Sequence, residues 1–138
     1  MQSHLEITSF TDAIAVAFGV RRRFTHAHTA ALLDSRGQVL DLTVFSRPEN
    51  SVETVLGWAG CFAANEGTVR RMVLLSAVEG SVDHEPRAAD VDVLYRARAR
   101  FGEMGVLVVD WLQCDGNVVR SIDLASDGEG WRLAAAVA

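Results

Sequence analysis

Two short, largely apolar runs, 69–75 (Val-Arg-Arg-Met-Val-Leu-Leu) and 106–112 (Val-Leu-Val-Val-Asp-Trp-Leu), flank a stretch opened by Pro86. Runs of this length are too short to cross a bilayer and read as buried strands. Between them Val91, Leu94, Ala97, Phe101 and Met104 recur at helical spacing. That stripe predicts a helix over 87–103, with Pro86 in its opening turn and Gly105 as its stop. Arg96, Arg98 and Arg100 fall mostly on its other faces. Buried strands beside an amphipathic helix demand a sheet covered by helices.

The rest of the chain supplies the remaining layers. Ile14, Ala17 and Phe18 predict a helix over 10–18, stopped by Gly19. A strand at 28–33, the turn tetrad Asp34-Ser-Arg-Gly37 and an alternating stretch at 38–45 predict a hairpin. Asn50 or Ser51 is placed to cap a helix over 52–65, lined by Val52, Val55, Leu56, Ala59 and Phe62 and ended by Gly67. Residues 76–86 read as a polar loop. After 106–112, the Asp115-Gly116 pair predicts a turn into a returning strand over 118–124. Residues 131–137 read as a last strand or an apolar tail. The order helix, strand, strand, helix, strand, helix, strand, strand predicts one α/β domain over 1–138, with a mixed sheet flanked by helices.

Composition narrows the function. The chain has 138 residues, 49% apolar and 22% charged, which suits one globular domain and excludes a disordered chain. No apolar run approaches a membrane span, and residues 1–10 lack the pattern of a secretory signal. The expected location is the cytoplasm, with no membrane partner. The net charge of −5 speaks against a protein that grips a nucleic-acid backbone. All 13 basic residues are Arg. A GC-rich genome explains that simply; avoidance of lysine-directed modification is the sharper reading. Cys61 and Cys114 read as isolated thiols, not as a disulfide or zinc site.

Four strings carry a resemblance to a known family. They are the hairpin 31–40 (Ala-Leu-Leu-Asp-Ser-Arg-Gly-Gln-Val-Leu), the helix and strand at 52–65 and 69–75, the stretch Asp83-His-Glu-Pro-Arg-Ala-Ala-Asp90, and 106–112 with Asp115-Gly116. Together they resemble the JAB/MPN (JAMM) domain of bacterial RadC-type proteins over residues 28–124. The resemblance implies a cytidine-deaminase-like α/β core at 28–124, with 1–25 as an N-terminal helical extension. It also implies a site for zinc-assisted hydrolysis of an amide or isopeptide bond. In the family two His of a His-x-His-Pro string and the Asp of a following Ser-x-x-Asp hold zinc, and an upstream Glu is the base. Three protein ligands leave a position for water, whose pKa the metal lowers.

This chain departs from that pattern. With the family's Asp placed at Asp90, its Ser becomes Arg87, its two His become Ala77 and Glu79, and its Pro becomes Gly80. The upstream Glu falls at Thr43 or Val44. One ligand of three remains. Arg87 would set a fixed positive charge where a dication belongs, and the expectation is that it pairs with Glu79 or Asp90. The implied protein is a catalytically inactive relative without cofactor, acting through a protein partner or self-association, such as a homodimer. Two other readings stay open. One is a zinc hydrolase with a rearranged site built from Glu79, Asp90 and a His. The other is a DNA-repair accessory role, which the acidic balance opposes.

The remaining candidates are weaker. His26-Ala-His28 puts two imidazoles on one face of a strand, and with His84 would be a rival metal set; a lone His-x-His is more often structural. Glu79, Asp83, His84, Glu85 and Asp90 read as a solvated acidic loop at a helix start, where the dipole favours acids. Arg21-Arg22-Arg23 beside Phe24 reads as a charged edge before it reads as a phosphate patch. Trp58 and Trp111 read as core, with Trp58 a partner surface if exposed. Cys114 has no His beside it in sequence to make it a nucleophile.

Overall fold

The structure is a computed structural model that describes residues 5–82 and 86–136. Among the described residues the order is α1 (Phe10–Arg23), β1 (Ala27–Leu33), β2 (Val39–Phe45), α2 (Val52–Asn65), β3 (Arg71–Ala77), α3 (Ala88–Gly102), β4 (Leu107–Cys114), β5 (Val119–Ser121), α4 (Ile122–Ser126) and α5 (Glu129–Ala136). The five strands form one open sheet in the order β2-β1-β3-β4-β5. β3 and β4 run parallel, and every other pairing is antiparallel. The predicted α/β domain with a mixed, helix-flanked sheet is what the chain forms.

Two apolar layers hold the sheet. Leu74 and Trp111 turn to one face, where Val55 of α2 and Leu94 and Phe101 of α3 bury against them. Val73, Leu75 and Leu112 turn to the other face, under Ala13 and Ala17 of α1 and Ala134 of α5. β3 is buried along its whole length, which is why its sequence runs apolar instead of alternating. Ser51 caps α2 with a reciprocal Thr54 bond, the device expected at that boundary.

Three expectations are corrected. α1 does not stop at Gly19 but runs to Arg23, closed by the Phe24 N–H on the Val20 carbonyl. The extra turn buries Val20 against Ala27 and Ala77, and that packing outweighs the roughly 1 kcal/mol cost of an interior glycine. The returning strand covers only Val119–Ser121. Ser121 then caps α4, its Oγ accepting the Leu124 N–H at 2.9 Å. Residues from Glu129 form a helix and not a strand, because the buried Asp123 carboxylate accepts the Gly130 and Trp131 N–H groups at 2.9 and 3.2 Å. That supplies orphan donors of a helix start with an acceptor.

β4 carries a bulge. Met72 pairs with Val108 and Val73 with Asp110, so Val109 is the extra residue. A bulge frees backbone groups from the ladder. Here Arg98 of α3 closes them, donating to the Val108 and Val109 carbonyls at 2.9 and 2.8 Å. Arg98 therefore turns inward, against the expectation that it lies on an outer face.

Candidate functional site

The strand register lines up four polar residues that are far apart in sequence. His28 of β1 pairs with Ser76 of β3, Ser76 with Gln113 of β4, and Gln113 with Arg120 of β5. Directly opposed residues share a face, so these four form a row across one end of the sheet. The row lies on the α2/α3 face, at the carboxyl ends of β3 and β4. Sites in open α/β sheets gather at such ends. Asp90, in the first turn of α3, reaches the row from above.

One half of the row is a neutral relay. The indole N–H of Trp111 donates to Ser76 Oγ at 2.8 Å, and Ser76 Oγ lies 2.7 Å from His28 Nδ1. The indole nitrogen only donates, so Ser76 Oγ accepts from Trp111 while it shares a second bond with His28 Nδ1. Burial, then the neighbouring His26, holds the His28 pKa below its ordinary value, with Glu53 opposing. A serine beside a histidine is the first mark of a nucleophile and its base. Ser76, however, is only 2% exposed and already spans two partners. The relay orients His28 and does not present a nucleophile.

The other half is charged. Gln113 Nε2 donates to Asp90 Oδ2 at 3.0 Å, and Arg120 Nη2 sits 3.8 Å from the same oxygen. Arg120 Nε donates to Gln113 Oε1 at 2.9 Å. This corrects the expected ion pair. Arg87 is exposed, caps α3 through its backbone alone, and pairs with neither Glu79 nor Asp90 among the described residues. The guanidinium that meets Asp90 comes from β5, 30 positions further along the chain.

The other predicted positions disperse. Ala77 is buried on the α1 face against Val20, so Ser76, one residue earlier, is the β3 side chain that faces Asp90's row. Glu79 is exposed and Gly80 follows with φ +78°. Thr43, opposite Ala30 on β2, donates to Asp41 Oδ2 at 2.7 Å and offers no carboxylate of its own. Val44 packs toward α1. His26 stacks edge-on to His28 with centroids 5.1 Å apart, and its Nε2 is buried without a hydrogen-bond partner. His84, Asp83 and Glu85 lie outside the described residues. Trp58 is half-buried, packed on Phe45 and Phe62 at 5.7 Å each. Arg21 donates to the Val78 carbonyl at 3.2 Å, while Arg22 and Arg23 are exposed. Cys114 is buried, and burial pushes its thiol pKa up.

The described residues do not assemble a zinc site. Among the described residues no three of His, Cys, Asp and Glu converge. Asp90, where the resemblance would place a ligand, receives an amide donor and faces a guanidinium. A dication placed there would meet the Arg120 charge in a partly buried setting, where Coulomb repulsion is little screened.

A second polar cluster lies under α5, and nothing in the sequence reading foresaw it. Asp110 is fully buried and accepts from the Trp111 N–H, the Asp123 N–H, the Ser121 hydroxyl and the Trp131 indole. Asp123 is ion-paired to Arg98. The cluster knots α3, β4, α4 and α5 together. Burial raises the Asp110 pKa to about 6, against the four donors that favour its charged form.

The sign of that shift gives a prediction. The folded protein holds the Asp110 proton up to about 6, whereas the unfolded chain releases it near 3.8. Between those values the folded state binds more protons, so this group's contribution to stability falls as pH rises. The span corresponds to at most about 3 kcal/mol. Urea midpoints of Asp110→Asn and wild type, compared at pH values inside and above the window, are expected to show a wild-type-only decline. Parallel profiles would contradict it.

A scan of protein-family models finds no match to the chain, and a search of curated proteins finds none either.

Proposed function

We propose that this chain is a JAB/MPN-like domain whose hydrolytic centre has been replaced by a polar plug, and that it works through protein contacts without a metal. The observation that carries the reading is the Asp90 carboxylate, bonded to Gln113 and faced by Arg120. Two further features support it. The element order is the one the family resemblance leads one to expect, and the polar row occupies the carboxyl ends of the parallel strands. Ser76 and His28, which have the chemistry of a nucleophile pair, are tied into the relay with Trp111. A domain that keeps such a framework while committing its polar groups to one another retains surfaces as its means of action.

Metal analysis tests the reading. Tag-free protein incubated with excess zinc and then desalted is expected to keep well below one equivalent. Near-stoichiometric zinc that a chelator removes, and that Asp90→Ala abolishes, would overturn it in favour of a rearranged hydrolase.

A further inference from the structure

We propose that α1 and the groove beside it form a two-fold interface between two copies of this chain. α1 packs over β3 and β4. Between it and the edge strand β2 an apolar groove of about 510 Å³ remains open. Leu42 and Val44 floor the groove, and both are only half-buried. Leu5, at 46% exposure, lines the groove as well. β2 has no strand on its outer side among the described residues. It carries no Pro or Lys and a single charge, Asp41; its guards are a bulge at Leu40 and the Leu5 carbonyl on the Val39 N–H.

The helix wall of the groove is Asp12, Ala15, Val16, Gly19, Val20 and Arg23. Their spacing of three and four puts them on one face. An acidic end, Asp12 with Glu6 beside it, and a basic end, Arg23, stand about 16 Å apart along the axis. An isologous interface must be self-complementary, and this stripe is. A second α1 laid antiparallel on it matches Asp12 with the partner's Arg23 and Val16 with the partner's Gly19, with the exposed Ala15 beside that crossing. Charge closes both ends and apolar contact fills the middle. Nothing lies within 4 Å of the Cβ position at Gly19, so that point of the stripe is open to a close neighbour. Tolerating a glycine inside a helix is then explained by the approach it permits. A foreign helix would match this pattern only by carrying the same reversed charges; the chain itself carries them.

This interface names the partner in the interaction reading and rests on it. Sedimentation velocity of the full chain at tens of micromolar tests it. A species near twice the 15.0 kDa chain mass is expected. Ala15 is exposed, so Ala15→Arg leaves the monomer's helical circular dichroism intact while weakening self-association by more than about a hundredfold. Asp12→Arg and Arg23→Glu are each expected to sediment as monomers. Mixed together they restore a dimer, because only the mixed pair matches charge at both ends. A monomeric wild type, an Ala15→Arg dimer of unchanged affinity, or a mixture that stays monomeric would each overturn the interface. Should Asp12→Arg unfold, since it also loses the Thr8 cap, Ala15→Arg decides alone. A monomer that retains no zinc sinks this interface and leaves the interaction reading standing. Retained zinc sinks that reading whatever the sedimentation shows.

Discussion

Gly130→Ala is expected to cost more than about 4 kcal/mol, a large share of the roughly 5–15 kcal/mol that keeps an ordinary domain folded. A Cβ at Gly130 would overlap the Val109 carbonyl oxygen and the Arg98 guanidinium and lie 2.7 Å from the Val109 carbonyl carbon. The neighbour that must give way is bulged backbone, which Arg98 already pins to α3. No rotamer change relieves such a contact. Gly57, inside α2, is the control. Nothing lies within 4 Å of its Cβ position, so Gly57→Ala is expected to stabilise by about 0.5–1 kcal/mol. The same chemical change thus takes opposite signs at the two sites. Urea melts of both variants check it, and a Gly130→Ala protein as stable as wild type would show that α5 does not dock on the bulge.

The second large effect is at Asp123. Asp123→Ala is expected to cost about 3–5 kcal/mol, because it leaves the Arg98 charge buried without its partner. It also strips the acceptor from the Gly130 and Trp131 N–H groups. Arg98→Met removes the opposite charge and releases the Val108 and Val109 carbonyls. Since the two side chains are in contact, the double variant is expected to lose less than the sum of the singles. Strict additivity in denaturant melts would mean that the pair is not coupled as the distances indicate.

Both effects fall in the region that the sequence hides best. The hairpin strands and the helices at 52–65 and 87–103 were legible because their apolar residues repeat with period two or with helical spacing over long stretches. The last 20 residues have no such repeat. α4 and α5 exist because Ser121 and the buried Asp123 accept helix-start donors, and a tertiary acceptor leaves no local pattern. Arg98 was misplaced for a related reason: helical spacing shows which face a residue starts from, not that a bulge on β4 offers it two carbonyls.

The polar row was hidden by register. His28, Ser76, Gln113 and Arg120 are spread over three connections, and only strand pairing brings them together. Asp90 was legible, because an acid in a first helical turn after a proline stands out. Its partner was not. The family's motif, laid on the chain, pointed to Arg87, but Arg87 supplies the α3 cap with its backbone and leaves its side chain exposed. Arg120 reaches Asp90 across Gln113 from the edge strand. The one-residue offset between Ala77 and Ser76 has the same origin, since a single step along a strand exchanges faces.

The state of the Asp90 carboxylate is the centre of the account, and a crystal structure of the tag-free chain grown with zinc reads it directly. The account predicts Asp90 within hydrogen-bond distance of Gln113, Arg120 beside it, and no ion bound to either carboxylate oxygen. A tetrahedral zinc about 2.0–2.2 Å from Asp90, with histidine in its shell and Arg120 swung away, would contradict it.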